Sequence, residues 1–393
     1  MTPAARIQAA IDLLDAVIVA ARGQGASADR IAADWFRTRR FVGSKDRRAI
    51  RELVWHAIRV CGDIPDNGRV AMLRVAADDP DIAALFDGSH YGPAAIAPDE
   101  VPAIGGIAPD WLIAALTQSG LDAADLSALM TRAPLDIRAN RLRTTRDDLL
   151  AQLPVVAEPG PAPDALRLPA GTQAERWSAF EQGLFEVQDA GSQIACGVIA
   201  AQPGETVVDL CAGAGGKTLS LAAAMANEGR LIACDIDRAR LSRLPGRAAR
   251  AGATVETRLL DGGREMQALR DLTGQADAVL VDAPCTGTGT WRRNPEARWR
   301  LSPAAIARYA RTQAQVLDLA VPLVRPGGRI TFITCSLLDA EGADAIGAFL
   351  ARHRDWQAVP VEAPIGRPRG AGWRLTPGHD DTDGFFFANL VAP

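Results

Sequence analysis

Two of the six cysteines stand where a reactive thiol would be presented, and the thiolate is the most readily activated nucleophile among protein side chains at neutral pH. In ADAVLVDAPCTGTGTWRRNPEARWRL an apolar, strand-like run ends in Asp282, with Cys285 three residues on and Pro284 and the glycines that follow shaping a loop. Fifty residues later GGRITFITCS brings Cys335 to the end of another such run. Side chains at the carboxyl ends of neighbouring parallel strands converge on one cleft, so two thiols and a carboxylate are expected to meet. Cys61, Cys196 and Cys234 read instead as small buried hydrophobes. The cysteines form no CxxC pair and have no His cluster beside them. That spacing argues against a metal site or a disulfide framework and favours reduced thiols in a cytoplasmic protein.

The second chemical feature is a glycine-rich turn, DLCAGAGGKT, between a short apolar run and an Ala/Leu-rich helix. Glycines at 213, 215 and 216 let a ligand approach the backbone, and the helix start supplies N–H donors. A P-loop would need glycine at position 211, which is Cys, and a dinucleotide fingerprint would need glycine at 218, which is Thr. What remains is a loop of methyltransferase type, in which the aspartate before the turn lies beside the methionine part of S-adenosylmethionine (SAM). Asp235, at the end of the next run and 22 residues after Gly213, can accept from ribose hydroxyls, with Asp237 as its competitor. Asp261, in LLDGG after a third run, falls where an adenine amino group could be met, or else caps a loop.

These residues need an alternation of strand, turn and helix to hold them. TVVDLCA, RLIACDI, ATVETRLL, ADAVLVDAP and GGRITFITCS supply it from about residue 182 to 393, predicting an open, mostly parallel α/β sheet. The first 87 residues are helical in pattern, residues 88–109 form a Gly/Pro-rich linker, and residues 110–181 make a small intermediate subdomain with a strand near Leu135–Asn140. No uncharged run is long enough to span a membrane, and charges at Arg6, Asp12, Asp15 and Arg22 interrupt any signal-peptide core.

The net charge of -4 on 393 residues excludes a bulk polycation and leaves local basic faces open. Only Lys45 and Lys217 are lysines among 43 basic residues. Arg37–Arg59, with Arg40, Lys45, Arg47 and Arg48, has a local excess of six positive charges. Trp291–Arg311, with Arg292, Arg293 and Arg298, interleaves arginines with Trp291 and Trp299. Each run reads either as a solvated helix face or as a surface for phosphates and splayed bases. RNA is the expected partner, and the chain is expected to be a monomer.

DLCAGAGGKT, VDAPCTGTGTWRRNP, TCS and TDGFFFA resemble the signature blocks of the RsmB (Fmu/Sun) family of SAM-dependent ribosomal RNA cytosine-5 methyltransferases. FEVQDAGSQ is similar to the start of that family's catalytic domain, APLDIRANRLRTTRDDLL to its intermediate subdomain, and SKDRRAIRELVWHAIR to its NusB-like helical domain. The resemblance implies an all-α NusB-like RNA-binding domain over residues 1–87, a small α/β subdomain over 110–181, and a Rossmann-like SAM-dependent methyltransferase domain over 182–393. It implies that Cys211, Ala212, Gly213, Ala214, Gly215, Gly216, Lys217, Asp235, Asp261 and Asp282 line the SAM site. Cys335 would be the nucleophile and Cys285 would help release the product. Asp282 would stabilise the protonated ring and Lys217 would favour a thiolate or bind negative charge nearby. The implied substrate is small-subunit (16S) ribosomal RNA. Two departures stand out: Ala214 replaces the family's usual Pro, and HDDTDGFF lacks the base that commonly precedes TDGFF. Competing readings are a SAM-dependent methyltransferase of a non-RNA substrate and a non-catalytic RNA-binding assembly factor that retains the SAM fold.

Overall fold

The amino-terminal helices follow the apolar spacing: α1 (Pro3–Arg22), α2 (Ala28–Thr38), α3 (Ser44–Val60) and α4 (Gly68–Asp78). Pro3 opens α1 and the Thr2 hydroxyl accepts from the amide of Ala5 at 3.2 Å, a proline-led and side-chain-capped start. Ile7, Leu14, Val17 and Ile18 of α1 then pack with Val54, Ile58 and Met72 in one core. In this computed structural model, which describes residues 1–393, the chain divides into two units. One is Met1–Arg132 with Thr290–Ser302, and the other is Ala133–Gly289 with Pro303–Pro393.

Two expectations about the helical unit are corrected. Residues 88–109 are not a free linker: Ala103 is buried in the helical core, its amide donates to Val70 O at 3.1 Å, and the Gly106 amide donates to Val60 O at 3.2 Å. Arg69 also pairs with Glu100 at 2.5 Å. Glycine and proline exclude regular structure there, but the backbone still finds partners and lies as a strap on the helices. The helices Asp110–Gln118 and Ala123–Ala128, expected in the intermediate subdomain, belong to this unit too.

The second correction concerns the arginines after Trp291. Arg298 is fully buried and donates to Ile58 O at 2.5 Å and Cys61 O at 2.7 Å, closing the carboxyl end of α3. Arg300 donates to Ala20 O at the end of α1, and Glu296 accepts the amide of Ala28 at the start of α2 at 2.9 Å. Arg292 is 5% exposed and donates to Arg132 O. A guanidinium matches the orphan carbonyls and negative pole of a helix end, and a carboxylate matches the amides at a helix start. Arg292 and Arg298 therefore hold the helical unit together and offer no face to RNA.

In the second unit, β1 (Leu135–Ala139), β2 (Glu158–Pro159), β3 (Ala165–Leu168) and β4 (Phe185–Val187) form a small antiparallel sheet in the order β2-β3-β1-β4. Ile137, Leu149, Leu166 and Phe185 fill its core. The large sheet carries the expected strands β5 (Thr206–Asp209), β6 (Arg230–Asp235), β7 (Glu256–Leu259), β8 (Ala276–Asp282) and β9 (Val324–Thr334), all parallel in the order β7-β6-β5-β8-β9. It continues beyond β9 with four antiparallel strands that the sequence pattern does not announce: β10 (Gln357–Val359), β11 (Arg367–Arg369), β12 (Gly372–Leu375) and β13 (Phe385–Val391). The sheet is thus mixed rather than almost wholly parallel. After β5 the chain winds one way through β6 and β7, then crosses to β8 on the other side of β5. That reversal opens a crevice at the carboxyl ends of β5 and β8, where open α/β sheets hold ligands.

Candidate active site

The glycine turn occupies the β5 side of this crevice. Gly215 has φ 88°, and a Cβ there would stand 2.1 Å from Leu244 Cδ1, so both conformation and space require glycine. The helix Gly216–Ala224 begins directly after it with no side-chain cap. Asp235 is buried at the end of β6 and accepts the amides of Gly213 and Asp237, both at 2.7 Å. Asp237 instead caps the next helix by accepting from Ala239 and Arg240, so of the two competitors it is Asp235 that meets the glycine turn. Asp261 is exposed just beyond β7. The side chain of Ile236, between the two aspartates, is 65% exposed.

Three arginines outside the glycine turn and the cysteine loops brace the site. Arg247 donates to Ala214 O at 2.8 Å and to Glu186 at 2.7 Å. Arg138, buried on β1, donates to Gly216 O at 3.1 Å. The glycine turn, which lacks proline at Ala214, is therefore held through its carbonyls. Likewise the segment before TDGFF has no base of its own, and Arg167 of β3 reaches it, donating to Asp381 O at 2.9 Å and its carboxylate at 2.5 Å. Sequence spacing carries no signal for these contacts, because each joins residues far apart in the chain.

Asp209, at the end of β5, is completely buried. Burial pushes its pKa up to about 7, against the hydrogen bond from Thr218 Oγ1 at 2.7 Å and with Asp282 adding to the rise. Its Oδ1 has no partner. Lys217 Nζ lies 2.7 Å from Asp282 Oδ2, bridging the crevice from the loop to the end of β8. Burial works against the Lys217 charge, but the carboxylate outweighs it and raises the pKa.

Cys285 and Cys335 meet as expected, with their Sγ atoms 3.4 Å apart. The hydrogen bond with Cys335 raises the Cys285 pKa most, followed by burial, the Cys335 charge and Glu341. Cys285 therefore holds its proton more firmly than a free thiol does. Glycines seal the loops around this pair: a Cβ on Gly289 would stand 2.1 Å from Gly384 O, and Gly384 N donates to Gly289 O at 2.8 Å. The TDGFF glycine is in this way pressed onto the Cys285 loop. Burial raises Cys61 and Cys234 to about 12 and Cys196 to about 11, as fits unreactive core thiols. Cys211, half-buried beside the turn, is also raised by burial.

Of the expected RNA-contacting residues, Arg40, Lys45 and Arg48 are exposed, and Arg293 is half-buried. Arg47 folds back on its own loop, donating to Val42 O at 2.8 Å.

Residues 196–391 match the family described as 16S rRNA methyltransferase RsmB/F. The ribosomal RNA small subunit methyltransferase B of Enterobacter sp. (strain 638) is 35% identical over 289 residues, covering 72% of this chain and 66% of that protein. The probable ribosomal RNA small subunit methyltransferase B of Synechocystis sp. is 35% identical over 295 residues, with the same coverage. The chain thus spans just under two thirds of the length of these curated relatives. Among solved structures, PH0851 superposes with a TM-score of 0.79 at 26% identity, covering 99% of each chain. The large sheet and its helices are a Rossmann-like methyltransferase fold. No helix is long and apolar enough to cross a membrane.

Proposed function

The chain belongs to the 16S rRNA methyltransferase RsmB/F family, and from that membership we propose that it transfers a methyl group from SAM to carbon 5 of a cytosine in small-subunit ribosomal RNA. The observation that carries this reading is the pair of thiols 3.4 Å apart in the crevice that also holds the Lys217–Asp282 ion pair. A methyltransferase acting on an oxygen, nitrogen or already nucleophilic carbon needs no such pair. A decayed assembly factor would have no reason to keep both thiols, the ion pair and the positive-φ glycine together.

The residues fit SAM. The turn from Cys211 to Lys217 would cradle SAM along its backbone, Asp235 would accept from the ribose hydroxyls and Asp261 would meet the adenine. Ile236 offers an exposed apolar surface for the base, and the orphaned Oδ1 of Asp209 is a buried acceptor for a cationic group. When bound, SAM supplies a methyl group on a sulfonium, an electrophile with a neutral leaving group.

Carbon 5 of cytosine is a weak nucleophile, so the ring must first be activated. The thiolate of Cys335 forms a bond to carbon 6, and the electrons of the 5,6 double bond become available at carbon 5 while the ring nitrogen takes a proton from solvent, to which it returns it after the thiolate has left. Asp282, oriented by Lys217, holds that protonated ring edge. Carbon 5, activated in this way, would accept the methyl group that SAM supplies, the sulfonium leaving as a neutral thioether. The proton on carbon 5 must then leave so that the sulfur–carbon bond breaks, the double bond reforms and the thiolate returns. Cys285 assists this step. The contact with Cys335 is the largest influence keeping the proton on Cys285; once Cys335 is bound to carbon 6 that influence is lost, and Cys285 can exchange its proton and act as a base. The target base is unstacked to reach the crevice. The helical unit acts as a NusB-like RNA-binding element through exposed Arg40, Lys45 and Arg48, with Arg293 as a further contact.

Purified full-length protein, SAM and small-subunit RNA test the reading. Cys335→Ala should abolish methyl transfer, and Cys285→Ala should accumulate a covalent protein–RNA adduct on a denaturing gel. Full activity in the folded Cys335→Ala variant refutes the covalent mechanism.

A further inference from the structure

Behind the two thiols lies a carboxylate that the reaction as described does not use. Glu341 sits on the short turn after the Cys335 loop and is completely buried. Four donors meet its two oxygens. One oxygen accepts the amide of Thr286 at 2.9 Å and the side-chain amide of Gln313 at 3.0 Å. The other accepts the hydroxyls of Thr286 and of Ser336, the latter at 2.6 Å. Thr286 directly follows Cys285, and Ser336 directly follows Cys335. Gln313 donates as well to Pro284 O at 3.0 Å, the carbonyl just before Cys285. Thr288 and Ser336 share a further hydroxyl contact at 3.2 Å.

This arrangement exceeds what loop packing requires. A buried carboxylate is costly unless its lone pairs are filled, and here all of them are filled by groups adjoining the reactive thiols. Two loops that start on separate strands are thereby tied at one point, one residue beyond each sulfur. We propose that Glu341 is a positioning residue for the reaction, clamping the Cys285 loop onto the Cys335 loop and giving the two thiols different work. The inference rests on the cysteine mechanism above. The clamp sets the distance across which the thiols communicate, and its charge lies on the Cys285 side through both the amide and the hydroxyl of Thr286. A negative charge there opposes a second one on Cys285, so Cys285 keeps its proton during the attack and Cys335 alone bonds to the base.

The test is Glu341→Gln in the full-length protein. Glutamine keeps the shape: its carbonyl can accept from Thr286 N and Gln313, and its amide can donate to the two hydroxyls, so the tie persists while the charge is lost. Native protein is labelled with iodoacetamide, and the rates at Cys285 and Cys335 are read by peptide mass spectrometry. Wild type should label Cys335 well ahead of Cys285. In folded Glu341→Gln, Cys285 labelling should rise about tenfold. Turnover should fall in kcat with KM for RNA little changed, and adduct should build up. An unchanged labelling ratio with wild-type turnover overturns the proposal. Should Glu341→Gln fail to fold, Thr286→Val removes one leg of the clamp and retains the charge; it should accumulate adduct at an unaltered labelling ratio, and normal turnover would overturn the tie. Labelling requires neither RNA nor SAM. A silent methylation assay in wild type would therefore sink the functional reading and leave the role of Glu341 to be judged on the thiols alone.

Discussion

Replacing Asp209 with asparagine should make the protein less sensitive to pH, by an amount that follows from the burial of the carboxyl. Asp209 titrates near 3.8 in the unfolded chain and at about 7 in the folded one. The folded state therefore favours the protonated form. Below pH 3.8 both states are protonated and the group costs nothing through ionisation. As pH rises from 3.8 to about 7, the unfolded chain ionises freely while the folded one resists, and stability falls by ~1.4 kcal/mol per pH unit. Over the whole interval the loss is ~4 kcal/mol, of which ~3 kcal/mol falls between pH 5 and 7. The Asp209→Asn variant would keep the bond from Thr218 and lack the ionisation. Urea unfolding of the full chain at pH 5, 6, 7 and 8, read on the transition that S-adenosylhomocysteine shifts, should show Asp209→Asn gaining on wild type by ~3 kcal/mol from pH 5 to 8. A difference that stays constant across this range would refute the reasoning. It would mean that Asp209 is ionised in the native protein throughout, with its free oxygen served by solvent.

Further outcomes follow from the contacts described. Arg298→Met should lower the stability of the helical unit by ~3 kcal/mol or more, since carbonyls at the end of α3 lose charged donors, whereas Arg48→Ala should change it by less than ~0.5 kcal/mol in the same urea titration. Lys217→Met and Lys217→Arg should each reduce methyl transfer by about 100-fold or more, because the guanidinium is too wide for the 2.7 Å contact with Asp282 in so closed a place; a rate within a few fold of wild type in either would separate Lys217 from the chemistry. Gly384→Ala should cost ~1–3 kcal/mol, with the new methyl 2.8 Å from Gly289 Cα, and calorimetry checks it. Removing Arg40, Lys45 or Arg48 should each reduce the salt dependence of RNA binding by about one counterion; an unaltered slope would place RNA elsewhere.

The candidate site is legible in the sequence because strand ends are local signals. Cys285, Cys335 and Asp282 end or follow apolar runs, and parallel order brings such ends together without further information. The glycine turn is readable for the same reason, since positive φ and close approach leave a mark on residue type. Arg298 shows where that logic stops. An arginine beside tryptophans has the same sequence signature on a surface as at a buried helix end, and only the orphan carbonyls of α3, some 240 residues earlier, decide between them. Arg167, Arg138 and Arg247 are invisible likewise, as is Glu341, whose partners come from three elements. The antiparallel strands β10–β13 leave no pattern because short runs such as Arg367–Arg369 acquire strand character only by pairing with their neighbours.

The excursion of Thr290–Ser302 into the helical unit has a consequence for how the protein is made. A ribosome that has finished Arg132 has synthesised every α-helix of that unit, but not the residues that close the ends of α1 and α3 and open α2. Those emerge only after Ala133–Gly289 has been synthesised, a delay of roughly 10–30 s at ordinary elongation rates. During that interval the first helices wait with uncapped termini, while the sheet that will present the cysteines is already growing. Completion of the amino-terminal body is thus timed by translation of the catalytic one, and a gene fragment ending at Arg132 would encode a body short of its own fastenings.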